Sequence, residues 1–198
     1  MGVLSRPVQT AGTPAGPVLA LALALALAAC GEISNDRLRE GDVTGQVLRA
    51  DKNVGLVVFL ADEPERQSLQ DDGRFQLSSV AGGDRELLVV ANASEAIRLP
   101  VLVVPRDTTD LGLIDPGPGA FLRLEVTTTS SRPEDYLLEI ERTHLVQVIA
   151  EQGSGAFTAG PLGAGCYWGR LTRGGQVAWR EEICLRAGET HILPVQVD

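Results

Sequence analysis

The sequence predicts an all-β protein made of two small β-sandwiches in tandem after a leader segment. Three observations lead to this prediction. Runs of about four to eight residues rich in valine and leucine alternate with Gly, Asp and Pro turn signals. A Pro/Gly segment separates two stretches of similar length. The spacing of glycine and phenylalanine in the first stretch recurs in the second.

The leader contains an uncharged apolar run, residues 18–29, that ends at Cys30. This run is too short for a transmembrane helix, which needs about 20 residues, and it matches the core of a secretory signal peptide. The sequence LAAC at 27–30 resembles a bacterial lipobox. In lipoproteins the cysteine receives diacylglycerol and the chain is cut before it, so that acyl chains such as palmitate anchor the protein. We therefore expect residues 1–29 to be a lipoprotein signal peptide and Cys30 to be lipidated; an ordinary cleaved signal or an uncleaved anchor is the alternative.

The residues after Cys30 predict where the protein is held. Gly31 stands where an aspartate would act as a retention signal, which resembles the outer-membrane sorting signal of enterobacterial lipoproteins. The expected location is the cell envelope, lipid-anchored, at the outer membrane on its periplasmic or surface face. Residues 30–41 are mostly polar or charged and are expected to form a tether.

Charge and cysteine content limit the possible partners. From Cys30 onward the chain has 16 basic and 26 acidic residues, a net charge of −10. Nucleic acid is excluded as a partner because its binding depends on neutralising phosphates. Cys166 and Cys184 form an even pair, which in an exported protein indicates a disulfide. His144 and His191 have no partnering cysteine, which argues against a zinc site; no metal and no cofactor are expected.

The first half, residues 42–116, has the alternation of β-strands. Val43, Gly45 and Val47 share one face of the first strand. Further strands are expected at 56–60, 75–77, 87–91, 99–104 and 111–114, with turn signals at 71–73 and 81–84. Helical periodicity is absent from this half.

Several peptides of the first half resemble the carboxypeptidase-regulatory-like domain. They are TGQV at 44–47, VVF at 57–59 and DGRFQL at 72–77, followed by two closing strands. The resemblance covers residues 41–116 and implies a prealbumin-like β-sandwich of about seven strands. It departs from the family at 82–86, where a Gly-x-Tyr pattern is usual. The family motif implies a turn at Gly73 and a core position for Phe75, but no catalytic residue.

The Pro/Gly segment DPGPG at 115–119 cannot continue a strand, so it is expected to be a linker with few contacts and high protease sensitivity. The second domain, 120–198, is predicted to repeat the first. Phe157 follows Phe75 by 82 residues, and Gly165 follows Gly83 by the same distance. Residues 165–167 also fit the Gly-x-Tyr pattern better than the first half does.

The segment 133–151 permits two interpretations. Pro133, Glu134 and Asp135 resemble a helix start, and apolar residues follow at helical spacing. Tyr136, Leu138 and Ile140 also alternate, however, and the run 145–149 has the composition of a strand. The sequence favours strands here without excluding a helix.

Residues 165–185 are expected to form a hairpin around Gly174-Gly175. A two-residue loop would mix polar and apolar residues on both faces. A three-residue loop, 174–176, sorts the faces and places Val177 inside with Trp179, whereas Trp168 lies outside. This register puts Cys166 opposite Cys184, at the ~5.5 Å Cα separation that a disulfide tolerates.

The residue patterns indicate binding rather than catalysis. Gly153-Ser154-Gly155 lacks the leading glycine of a nucleophile elbow, and the glycines at 163–169 lack dinucleotide-site spacing. Trp168, Arg170 and Arg180 are the candidate binding residues, since aromatic rings beside arginines form interaction hot spots; their competing role is structural cover of the core and the disulfide.

We therefore expect a non-enzymatic structural or protein-interaction module. Its expected partners are the membrane, through the lipid anchor, and an envelope protein. The alternative is a carbohydrate-binding module that uses exposed aromatic residues of the second domain to bind a glycan.

Overall fold

The structure is a computed structural model that describes residues 39–48, 57–61 and 72–197. The predicted signal peptide, the lipidation residue Cys30 and most of the tether lie outside these ranges. In the part of the chain that is described, no helix is long and apolar enough to cross a membrane.

Strands dominate both halves of the chain. The first half contains β1 (Glu40–Val47), β2 (Val57–Leu60), β3 (Arg74–Ala81), β4 (Gly83–Val90), β5 (Ala96–Val103) and β6 (Thr108–Ile114). The second half contains β7 (Ala120–Thr128), β8 (Leu137–Ile140), β9 (Val148–Ile149), β10 (Ala156–Leu162), β11 (Gly165–Arg173), β12 (Gln176–Leu185) and β13 (Thr190–Val197).

Apart from the additional strand β9, the described strands of each half form two sheets with the same topology. The first half has the sheets β3-β1-β6 and β2-β4-β5, and the second has β10-β7-β13 and β12-β11-β8-β9. In both halves the opening strand pairs antiparallel with one neighbour and parallel with the closing strand. The prediction of an all-β fold with two sandwiches in tandem is confirmed.

The strands form because apolar residues alternate along them, so that one face of each sheet is buried. In β7, for example, Leu122, Leu124 and Val126 point into the core of the second half. A separate apolar cluster fills the first half. Three residues of the first half belong to the cluster of the second half instead: Phe59 of β2, Ala61 directly after β2, and Leu88 of β4. The domain boundaries 42–116 and 120–198 therefore stay a prediction.

The predicted repeat has a structural counterpart at equivalent strand positions. Gly83 and Gly165 begin β4 and β11, and both have positive φ angles, 113° and 152°. Phe75 and Phe157 are the second residues of β3 and β10, and both side chains are buried. The sequence spacing of 82 residues thus corresponds to one complete sandwich.

The segment 133–151 forms strands, as the sequence favoured. A short 3₁₀ turn, Pro133–Asp135, leads into β8, and β9 follows. Tyr136, Leu138 and Ile140 are all buried, which is the alternation of a strand with one face inward. The helix-start signal is therefore limited to a single turn.

The linker 115–119 contains no strand, but the expectation that it has few contacts is wrong. The N–H of Gly119 donates to the Ser94 carbonyl at 2.7 Å, and Gly188 donates to the Pro118 carbonyl at 3.1 Å. A Cβ added at Gly119 would lie 2.5 Å from the Cβ of Pro161. Neighbouring loops from both halves thus hold this segment in place.

Truncating either buried phenylalanine should destabilise the protein strongly. We expect Phe75→Ala and Phe157→Ala each to lower the free energy of unfolding by ~3–5 kcal/mol, because each leaves a cavity in a separate core. Chemical denaturation followed by circular dichroism measures the loss. A loss below ~1 kcal/mol at either residue would contradict its core position.

Candidate functional site

Cys166 and Cys184 form a disulfide, as predicted. The two residues are directly opposite each other on β11 and β12. Their Cα atoms are 3.9 Å apart, closer than the expected ~5.5 Å. The bond ties the edge strand β12 to its neighbour on the outer side of the sheet.

The predicted register of this hairpin is correct next to the disulfide and wrong at the loop. The loop has two residues, Gly174 and Gly175, and Arg173 pairs with Gln176. Both glycines have positive φ angles, 55° and 80°, which is the type I′ geometry that matches strand twist. A register shift next to Leu171 then leaves Ala178 as an extra residue, as in a β-bulge, and restores the predicted pairing.

The bulge moves one side chain to the other face. Val177 pairs with Thr172 and is 53% exposed, although the sequence placed it inside. The remaining assignments are confirmed: Trp179 packs against the second core, and Trp168 is 42% exposed on the outer side.

Trp168 lies beside a charged pair that covers one side of its ring. The guanidinium carbon of Arg180 is 4.5 Å from the ring centroid, within the range of a cation–π contact. Nε and Nη2 of Arg180 donate to the two carboxylate oxygens of Glu141 at 2.8 and 2.9 Å. This hydrogen bonding holds the pKa of Glu141 below its ordinary range, against the opposing effect of burial.

Arg170 is held in the same way by the neighbouring strand. Its Nε and Nη2 donate to Oε2 of Glu139 at 3.0 and 2.7 Å. The structure therefore brings all three candidate binding residues to one face and pairs both arginines with glutamates of, or next to, β8. Glu139 and Glu141 were not among the residues predicted from the sequence, although their alternation with Leu138 and Ile140 would have placed them on the outer side.

These side chains belong to a larger surface that we call the exposed sheet face. It comprises three rows that cross the sheet: Ile149, Leu137, Thr172 and Val177; then Glu139, Arg170 and Arg180; then Glu141, Trp168 and Glu182. In the first row, Ile149 is 72% exposed and Leu137 is 38% exposed. An ionic row thus separates an aliphatic row from an exposed tryptophan.

The two sandwiches meet next to this face, at Arg98 of β5. Nε and Nη2 of Arg98 donate to Glu86 at 2.9 and 2.6 Å, and Nη1 donates to the Cys166 carbonyl at 2.8 Å. The guanidinium carbon also lies 4.9 Å from the ring centroid of Tyr167. The Tyr167 hydroxyl donates to the Gly163 carbonyl at 2.6 Å, and burial raises the pKa of Tyr167.

A pocket between the sandwiches is small. Its volume is about 50 Å³, and Glu86, Arg98, Arg142, Tyr167 and Trp168 are among its lining residues. This is room for one or two water molecules, compared with the ~300–1,000 Å³ of ordinary ligand pockets. In the described ranges, no three His, Cys, Asp or Glu side chains are grouped so that they could hold a metal ion.

Comparisons with known proteins give weak similarities. No family model matches the chain, and no curated protein matches it. The Bacillus anthracis TIE protein is 15% identical and has a TM-score of 0.31, with 80% of this chain and 34% of that chain covered. GBS52, a minor pilin of Streptococcus agalactiae, is 12% identical with a TM-score of 0.34, covering 79% of this chain and 95% of the pilin.

A DUF3823 family protein from Bacteroides ovatus is 13% identical, with a TM-score of 0.27; 74% of this chain and 100% of that protein are covered. The present chain spans about a third of the length of the Bacillus anthracis protein. With TM-scores this low, none of these similarities bears on the function.

Removing the disulfide should weaken the second sandwich. We expect Cys166→Ser with Cys184→Ser to lower the free energy of unfolding by ~3 kcal/mol, because the unfolded chain gains loop entropy. Denaturation of the oxidised protein, with and without reductant, measures the loss. Reductant should leave the double variant unchanged; two free thiols in oxidised wild-type protein would contradict the bond.

Removing Arg98 should loosen the contact between the sandwiches. Arg98→Ala is expected to lower the free energy of unfolding by ~2 kcal/mol, because Glu86 and the Cys166 carbonyl lose a charged donor. Arg98→Lys should recover part of this loss, since an ammonium cannot reproduce the bidentate pair.

The control for this variant is Arg123→Ala, which removes a more exposed ion pair with Glu151. Its expected cost is below ~1 kcal/mol. Equal losses for Arg98→Ala and Arg123→Ala in chemical denaturation would show that Arg98 is an ordinary surface arginine.

Proposed function

We propose that this protein is a lipid-anchored, non-enzymatic interaction module of a bacterial cell envelope that binds another protein through the exposed sheet face. The observation that carries the proposal is the aliphatic row of Leu137, Ile149 and Val177 on the same face as Trp168 and two arginines. Tryptophan and arginine dominate the binding energy of many protein interfaces. A mixed apolar and ionic patch of this kind is typical of surfaces that dock reversibly.

The chemistry of the face favours binding over catalysis. Arg170 and Arg180 are each held by a glutamate, so their charges are already satisfied and their positions are fixed. Such pairs present a rigid, patterned surface. Because the side chains are already held in place, they lose little further conformational freedom when a partner docks.

The envelope location rests on sequence and on the disulfide. Residues 18–30 combine an apolar run with LAAC, and the Cys166–Cys184 bond suits an oxidising compartment. We also propose that the first half belongs to the carboxypeptidase-regulatory-like family. In support, TGQV lies on β1, VVF on β2, and DGRFQL on β3 with the turn before it.

Carbohydrate binding has less support from the same face. Arg180 covers one side of the Trp168 ring, so a sugar could stack only on the other side. The adjoining row is ionic, but its guanidinium groups already donate to Glu139 and Glu141, which leaves fewer hydrogen-bonding partners for sugar hydroxyls.

Thiol accessibility in cells tests the binding face. Val177→Cys places a thiol on the exposed sheet face, and Ile192→Cys places one on β13, in the other sheet of the same sandwich; both residues are more than half exposed. We expect an outer-membrane-permeant maleimide to label Val177→Cys at least about fivefold more slowly in cells than after purification, because a bound partner excludes it.

Ile192→Cys is the matched control and should react equally in both settings. Equal labelling of Val177→Cys in cells and after purification would contradict the proposal. Protection that purified glycans reproduce would move the assignment to carbohydrate binding.

The anchor is tested by Cys30→Ala. This variant should leave the membrane fraction or remain unprocessed, because acylation of Cys30 provides the anchor. Labelled palmitate should enter the wild-type chain and not the variant. A wild-type chain without label would overturn the lipoprotein assignment while leaving the binding face untouched.

A further inference from the structure

The repeat relates the exposed sheet face to a surface of the first sandwich that is already covered. β4 corresponds to β11, because both begin at a positive-φ glycine and occupy the same place in their sheets. Likewise β2 corresponds to β8 and β5 to β12. The outer side of β2-β4-β5 is therefore the equivalent of the exposed sheet face.

The second sandwich covers this equivalent surface. Phe59 and Leu88, which pair across β2 and β4, belong to the apolar cluster of the second sandwich. Arg98, which pairs with Leu88 from β5, reaches the Cys166 carbonyl and the Tyr167 ring. In this fold, the outer side of the sheet can therefore serve as a docking surface for another sandwich.

Strand pairing gives the equivalent residues on the exposed sheet face. Glu139 and Arg180 flank Arg170, just as Phe59 and Arg98 flank Leu88. The arginine of the third strand is thus present in both sandwiches, whereas the two apolar residues have become a carboxylate and a guanidinium.

These replacements disfavour a further sandwich docked in the same head-to-tail way. Tyr167 is the third residue of β11, and Arg85 is the third residue of β4. The first sandwich of a second chain would therefore bring Arg85, rather than a tyrosine, to Arg180. Two guanidinium groups repel, and Glu139 and Arg170 have lost the apolar contact that Phe59 and Leu88 make.

We propose that the exposed sheet face binds the same face of a second copy of this chain about a two-fold axis. This inference rests on the proposed function and names the partner. The face is self-complementary in this arrangement. Its aliphatic row meets the aliphatic row of the other copy, and Glu139 meets Arg170 across the axis. A two-fold contact closes on itself, so the assembly stops at a dimer.

The size of the face indicates a weak dimer. Four strands about 4.8 Å apart and three rows about 6.8 Å apart give a flat area of only a few hundred Å² per copy. Stable interfaces bury ~800 Å² per partner, so we expect association mainly where chains are concentrated on a membrane surface.

Cross-linking of the membrane-held full-length chain tests the proposal. Thr172→Cys, in the aliphatic row, should give a cross-linked dimer with a short bismaleimide, whereas the Ile192→Cys control should not. Arg170→Glu or Glu139→Arg, each added to Thr172→Cys, should lower the dimer yield about tenfold or more, because like charges then meet across the axis.

Mixing the two charge-reversed chains should restore the dimer, since a reversed glutamate then faces a reversed arginine. This rescue separates loss of contact from misfolding. A Thr172→Cys yield no higher than the control, or a yield insensitive to charge reversal, would overturn the proposal. If Val177→Cys is nevertheless protected in cells, the binding face has a different partner and the proposed function stands.

Discussion

The Arg98 guanidinium fixes how the two sandwiches meet, because one side chain contacts Glu86, the Cys166 carbonyl and the Tyr167 ring at the same time. This arrangement needs glycine on the opposite side. A Cβ at Gly163 would lie 2.4 Å from the backbone nitrogen of Arg98, and a Cβ at Gly165 would lie 2.6 Å from Nη1 of the Arg98 side chain. The same turn thus brings the second sandwich close and leaves the outer side of β11 uncovered. The Arg98 contacts act together with the apolar contact of Phe59 and Leu88 to position the second sandwich.

The two sandwiches share a fold but differ in what their outer sides present. A pair of apolar residues, Phe59 and Leu88, fills the contact in the first sandwich, whereas Glu139 and Arg170 occupy the same places in the second. A polar outer surface does not need to be covered by a further sandwich, just as the polar outer faces of capping units keep repeat arrays soluble. The aliphatic row beside Arg170 makes this polarity incomplete, and the proposed docking of a partner rests on that row.

Sequence alone predicted the strands, the repeat and the disulfide, because alternation, turn glycines and cysteine pairing are local or nearly local signals. It did not predict the pairs Arg170–Glu139 and Arg180–Glu141, whose members are 31 and 39 residues apart. Nor did it reveal Arg98, which contacts a strand 68 residues away. The predicted length of the hairpin loop was wrong for a different reason. The preference of Gly174-Gly175 for a type I′ turn outweighed the separation of polar and apolar residues onto opposite faces, and a bulge at Ala178 restored the register.

The parallel pairing of β1 with β6 and of β7 with β13 has a mechanical consequence. In each sandwich the first and last strands lie side by side and run in the same direction. Tension between the two ends of the chain therefore pulls the paired strands along their length in opposite directions. All hydrogen bonds of the ladder then bear the load together instead of breaking one after another. Pulling the chain from its ends would thus load both strand pairs in shear, and both sandwiches would resist extension.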